Sequence, residues 1–171
     1  MISILAIRVM SYLGGVSPQA ESRLGYLLKH AMIGFGDLTQ AALEPLGIDN
    51  REWATLASLD ERRPLPQVEV AKRAGIDRTT MVALVDSLET RGLVVRRPDP
   101  ADRRRNLVEL TTPGRELRAR AAMDVDTAES QFLAALGEQD ARKLKQVLQI
   151  TVESAGAPVE SNGRTQRRRM R

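Results

Sequence analysis

The side chains of this sequence that could do chemistry are mostly cations. There is no cysteine and a single histidine, His30, among 171 residues. Disulfides, thiolate nucleophiles, thiol-based redox sensing and sulfur-ligated metals are therefore excluded, and a zinc site would have to be built almost wholly from carboxylates. The aspartates and glutamates form no recognisable acid–base pair, and no phosphate-binding glycine loop or nucleophile motif accompanies them. Arginine stands out instead. Asp102, Arg103, Arg104 and Arg105 sit together in PDPADRRRN, and Arg78, Thr79 and Thr80 follow the turn AGID. A guanidinium is planar, permanently charged and weakly hydrated, which suits it to anions and to hydrogen-bond acceptors. The chemistry implied is recognition, without a cofactor and without catalysis.

Hydrophobic periodicity gives these residues a frame. From Glu21 to about Leu43, Leu24, Leu27, Leu28, Ala31, Phe35, Leu38 and Ala42 make one helical stripe of near-heptad spacing, a face that requires a partner. Pro45 and Gly47 break it. Asp49 and Glu52 then form a capping box for a short helix carrying Trp53, Leu56, Ala57 and Leu59. Pro66, placed at a first helical position, opens a helix over Gln67 to Ala74, which Gly75 ends. Arg78 to Arg91 follows directly, with Met81, Leu84, Val85 and Leu88 on one face. That leaves Thr79, Ala83 and Asp86 opposite, Thr80 and Ser87 on one flank, and Val82 on the other.

Beyond Gly92, LVVRR and LVEL read as two short strands joined by the charged tip. Thr112 as cap and Pro113 in the first turn open a helix to about Leu136, with Leu117, Ala121, Ala128 and Phe132 facing one way. A last helix runs from about Glu138 to Ser154, carrying Leu144, Val147, Leu148 and Thr151. The expected fold is mainly α with a small two- to three-stranded β wing.

Composition agrees: 42% hydrophobic residues supply a core, 28% charged residues a solvated exterior, and aromatics are only 3%. The net charge of +4 is carried entirely by the segment from Gly156 to Arg171, where five arginines face Glu160, and which reads as a disordered basic tail. The apolar start MISILAIRVMSYLGG is interrupted at Arg8 and has no basic segment before it, so it fits neither a signal peptide nor a membrane span. A cytoplasmic, nucleoid-associated location without membrane contact is the expectation.

A short helix, a glycine turn and a second amphipathic helix describe a helix-turn-helix, a motif found also in proteins with no nucleic-acid role. The strand pair that follows narrows the reading. Asp102-x-Arg104, five residues, then Leu110-Thr111 and Gly114 resembles the wing signature of the MarR family of winged helix-turn-helix transcriptional regulators. LPQVEVAKRAGIDRTTMVALVDSLETRGLVVRR looks like the helix-turn-helix and first wing strand of that family, and GIDNREWATLASL resembles its preceding helix. The resemblance runs from about Leu24 to Ser154.

The resemblance implies a homodimeric regulator, most simply a repressor, that binds an inverted repeat in double-stranded DNA. The corresponding domains are an N-terminal extension at 1–20, a MarR-like domain at 21–154 and a disordered basic tail at 155–171. Within it, the winged helix-turn-helix spans about 46–111 and the dimerisation helices about 21–43 and 112–154. Arg104 at the wing tip would enter a narrow minor groove, where the phosphate potential is concentrated, and Asp102 could brace it by a charge-assisted hydrogen bond. Arg103 and Arg105 could meet phosphates. Arg78 can read a guanine edge or touch phosphate, Thr79 and Thr80 can serve bases or phosphates, and Val82 or Ala83 could touch a thymine methyl. Gln67 corresponds to a family position that meets backbone phosphate, or faces solvent as a first-turn residue.

Val82, Ala83 and Ser87 depart from the polar or basic residues common in the family, so a protein-interaction module without specific DNA reading is the alternative. The family also implies a small aromatic or anionic effector. Tyr26, His30 and Trp53 lie on helices that could line its crevice, or are ordinary core and boundary residues.

Overall fold

The computed structural model describes residues 22–60, 63–102 and 105–156. The chain divides into two compact units, Met1–Phe132 and Leu133–Arg171. Arg103, Arg104, the N-terminal extension and the basic tail beyond 156 lie outside the described residues.

In the first unit, helix α1 spans Leu24–Leu43 and ends in a 3-10 turn at Glu44–Leu46, where Pro45 cannot continue the α-helical hydrogen bonding. Helix α2, Asn50–Ser58, starts on the expected capping box. An Asp49 carboxylate oxygen accepts from the backbone N–H groups of Arg51 and Glu52, each at 2.8 Å, while Glu52 accepts from the Asp49 N–H at 3.2 Å. Helix α3 spans Gln67–Ala74 and helix α4 Arg78–Thr90, separated by Gly75 in the left-handed conformation at φ 66°.

The three strands are β1, Leu65–Pro66; β2, Val94–Pro98; and β3, Asn106–Leu110, in antiparallel order β1-β3-β2. Pro66 therefore belongs to an edge strand, paired with Leu107, and precedes α3 instead of occupying its first position. An edge strand tolerates the missing N–H. In the hairpin Val94 faces Leu110 and Arg96 faces Val108, so period-two alternation turns Val94, Arg96, Val108 and Leu110 to one side.

Helix α5, Thr112–Phe132, follows β3 directly. Its cap is Thr111, one residue before the expected Thr112: the Thr111 hydroxyl accepts from the Gly114 N–H at 3.1 Å. The position is decided by β3, because the Thr111 N–H still donates to the Leu93 carbonyl at 3.1 Å, which holds the residue extended as a cap requires.

Leu43, Leu56, Val70, Met81, Val85, Leu88, Val94 and Val108 are almost fully buried and draw α1 to α4 and the sheet into one core. Helix α1 packs on α5, with Phe35 and Phe132 tilted at 60° and 5.5 Å between ring centres. Only the C-terminal part of the α1 stripe is covered, because Leu24, Leu27, Leu28 and Met32 remain exposed. The second unit contains helix α6, Glu138–Gly156, which runs two residues into the segment read as tail and carries exposed Leu144, Val147 and Leu148.

Candidate nucleic-acid interface

Helix α4 is started by Asp77. Its carboxylate accepts from the Thr80 N–H at 3.0 Å and from the Thr80 hydroxyl at 2.6 Å, and these bonds, the hydroxyl one foremost, hold the carboxyl below its ordinary pKa. The Thr80 hydroxyl proton is thus committed to the cap. Arg78, Thr79, Val82, Ala83, Asp86 and Ser87 are exposed along the rest of the helix, as the apolar periodicity predicts.

Arg96 is the residue that sequence reasoning missed. Its side chain, only 17% exposed, forms ion pairs at 2.6 Å with both Asp86 and Glu89 of α4. Its Nε donates to the Gln67 side-chain oxygen on α3 at 3.1 Å, and its backbone N–H donates to Glu89 at 2.8 Å. Those contacts, led by the backbone N–H, lower the Glu89 pKa. One guanidinium thereby ties β2 to both helices of the helix-turn-helix. The sequence did hold a signal: Arg96 occupies the inward register of a strand otherwise filled by Val94, and a charge facing inward needs partners. The same network places Gln67, whose side-chain oxygen is engaged within the protein.

A second tie secures the far end of α4. Arg91 pairs with Glu52 at 3.0 Å and donates to the Gly47 carbonyl at 2.9 Å, and the Ser87 hydroxyl lies 3.3 Å from the same Glu52 oxygen. Glu52 thus serves its own capping box and the docking of α2 on α4.

The tip beyond β2 is closed by backbone bonds from Asp99 N–H to the Arg105 carbonyl and from Arg105 N–H to the Asp102 carbonyl, both 2.9 Å. Asp99 braces the turn further by accepting from the Ala101 N–H at 2.9 Å. Asp102 and Arg105 are exposed; the proposed brace between Asp102 and Arg104 lies outside the described residues. Arg97, on the outer face of the hairpin, pairs with Glu109 at 3.3 Å.

Of the three residues considered for an effector, Tyr26 and His30 come together. Their rings stack at 3.9 Å, and His30 Nδ1 lies 2.9 Å from the Tyr26 carbonyl oxygen. Among the described residues, the buried Tyr26 hydroxyl has no hydrogen-bond partner. Trp53 sits on α2 and packs against the hydrophobic core.

Comparison with known proteins agrees with this architecture. A family model described as MarR family matches residues 46–105. The HTH-type transcriptional repressor Rv2887 of Mycobacterium tuberculosis is 31% identical over 129 residues, covering 75% of this chain and 93% of the relative. The chain belongs to the MarR family.

Two solved structures extend the comparison. CouR, known also from Rhodococcus jostii RHA1 in complex with p-coumaroyl-CoA, was solved on a 23-mer DNA duplex; that structure superposes with a TM-score of 0.73 at 32% identity, covering 79% of this chain and 96% of CouR. The MarR family protein Rv2887, solved with salicylic acid, gives 0.65 at 31% identity over 76% of this chain and 96% of that one.

The MarR-like wing signature now has a physical explanation in its second half. Leu110 is a core residue. Thr111 caps α5 and donates its hydroxyl to the Gly92 carbonyl at 2.6 Å. Gly114 is buried where any Cβ would land on the Leu93 carbonyl oxygen, so only glycine lets α5 approach the start of β2. Among the described residues, no helix is long and apolar enough to cross a membrane.

Proposed function

We propose that this chain is a cytoplasmic transcriptional repressor that binds an inverted repeat in duplex DNA as a homodimer and releases it when a small aromatic acid, or a thioester of one, binds. The carrying observation is the pinned α3–α4 pair. Arg96 fixes α4 against α3 and the hairpin, so the exposed start of α4 is presented as a rigid edge. A helix of this kind fits a major groove about 12 Å wide.

In this reading Arg78 and Thr79 meet base edges or phosphates, with Thr80 setting the helix start and Val82 and Ala83 lying against the bases. The Gln67 amide NH2 group donates to phosphate while its oxygen holds Arg96. Arg104, at the tip that resembles the family's wing, enters the minor groove with Asp102 as its brace, and Arg103 and Arg105 meet flanking phosphates. The winged helix-turn-helix occupies about 46–111, and the helices at about 21–43 and 112–154 form the dimer. Exposed Leu24, Leu27, Leu28 and Met32 support that pairing, since a two-fold axis would bury them and set two recognition helices about one DNA turn apart. Rv2887 with salicylic acid and CouR with p-coumaroyl-CoA support the effector class. The stacked Tyr26–His30 pair, with Trp53, is where we place the effector.

Fluorescence anisotropy of the full chain against duplexes tiling its own upstream region, with a scrambled control, tests the reading. About four phosphate contacts predict a loss of about a hundredfold in affinity for a fourfold rise in salt. One tile bound tightly and salt-sensitively, and released by salicylate or a coumaroyl thioester, is the expected result. Equal, weak binding to all tiles overturns it and favours the protein-interaction module.

A further inference from the structure

Between α3 and α4 lies a notch of about 190 Å³ lined by Gln67, Val68, Ala71, Arg78, Met81 and Val82. Its rim is formed by two valines on facing helices, Val68 at 42% and Val82 at 46% exposure. Its floor is Ala71 and Met81, both buried. Of the two polar groups at its edge, Gln67 has its oxygen engaged by Arg96, and Arg78 offers only donors. The width of the notch is fixed, because Arg96 bridges Gln67 on one side to Asp86 and Glu89 on the other.

Resting on the DNA-binding reading above, we infer that this notch is the receptor for the C5-methyl group of a thymine, so that each half-site contains one thymine read by hydrophobic contact. The four base edges differ in what they offer the major groove. Thymine alone presents a methyl group, and beside it an O4 acceptor; cytosine presents an amine donor, and adenine and guanine present polar atoms only. An apolar notch with a donor on its rim complements the thymine pattern: methyl against Val68 and Val82, O4 toward Arg78. A cytosine amine or a purine edge held there would lose its water without gaining a partner from the valines. Val68 lies on the first helix of the motif, so specificity at this base pair is shared between both helices.

The test uses the unmodified full-length chain and a duplex it enriches from a randomised pool, with each thymine replaced in turn by deoxyuridine, which removes only the methyl. Burial of one methyl predicts about fourfold weaker binding at one thymine per half-site, and about fifteenfold when both half-sites are substituted. Val82→Ala, at an exposed helical position where alanine is a better helix former, is expected to fold and to erase the thymine–deoxyuridine difference at that position alone. A duplex bound tightly in which every deoxyuridine substitution is neutral overturns the inference and leaves the regulator reading standing. So does a uracil effect that persists unchanged in both Val82→Ala and Val68→Ala. Failure to enrich any duplex overturns both.

Discussion

Gly114→Ala sets two physical effects against each other. On helix propensity alone, alanine within α5 should stabilise the chain by about 1 kcal/mol. The structure reverses the sign. The new Cβ would land on the Leu93 carbonyl oxygen and lie 2.9 Å from the carbonyl carbon and 3.3 Å from Leu93 Cα, so a whole peptide unit must move. That carbonyl accepts from the Thr111 N–H at 3.1 Å, while the Thr111 hydroxyl, whose proton goes to Gly92 at 2.6 Å, reaches it only as a shared, weaker contact at 3.1 Å. Losing the backbone bond costs about 1 kcal/mol, and overpacking adds about 1–3 kcal/mol. Offset by the propensity gain, the net destabilisation is about 1–3 kcal/mol, which for a chain of this size lowers Tm by about 3–9 °C. Thermal unfolding followed by far-UV circular dichroism measures it. Gly36→Ala in α1 is the control, because its Cβ would meet only the Asn50 side-chain nitrogen at 3.9 Å, and its Tm should hold or rise. A Gly114→Ala protein as stable as the parent refutes the close approach of α5 to β2.

Arg96→Met, which keeps much of the aliphatic bulk but removes the charge, should lower unfolding stability by about 2 kcal/mol in urea, because Glu89 and Asp86 lose their common partner. An unchanged midpoint would show that the network does not hold α4. Asp77 and Glu89 both have carboxyl pKa values lowered by folding, so the unfolded chain binds their protons first. Their contribution to stability is therefore complete above the ordinary carboxylate range near pH 4 and is lost as pH falls through the lowered folded values. Glu89→Gln should accordingly lose less stability than the parent between neutral pH and about pH 3, and parallel acid profiles would contradict this. Arg104→Ala is expected to weaken duplex binding at least tenfold, about 1.4 kcal/mol, with the dimer intact by light scattering; unchanged affinity would remove Arg104 from the minor groove.

Local signals determined most of the element order by themselves. The Asp49–Glu52 capping box, the helix-ending glycines at 47, 75 and 92, and the i, i+3, i+4, i+7 row from Met81 to Leu88 act over a few residues, and each appears as read, the glycines in the left-handed conformation. The exposed face of α4 followed from the same periodicity. Where two local assignments competed, tertiary contact decided. Pro66 and Thr111 were pulled into their places by pairing with β3 and Leu93, which no short window contains. Arg96 shows the limit most clearly: sequence places it on a strand, but the partners that make it a strut lie 7, 10 and 29 residues away at Glu89, Asp86 and Gln67. Their meeting depends on the packing of α3, α4 and the hairpin around one core. The wing signature likewise named Gly114 by its spacing, while only the folded chain shows the Leu93 carbonyl that forbids a side chain there. Periodicity reports which face of an element is covered; what covers it is a property of the fold.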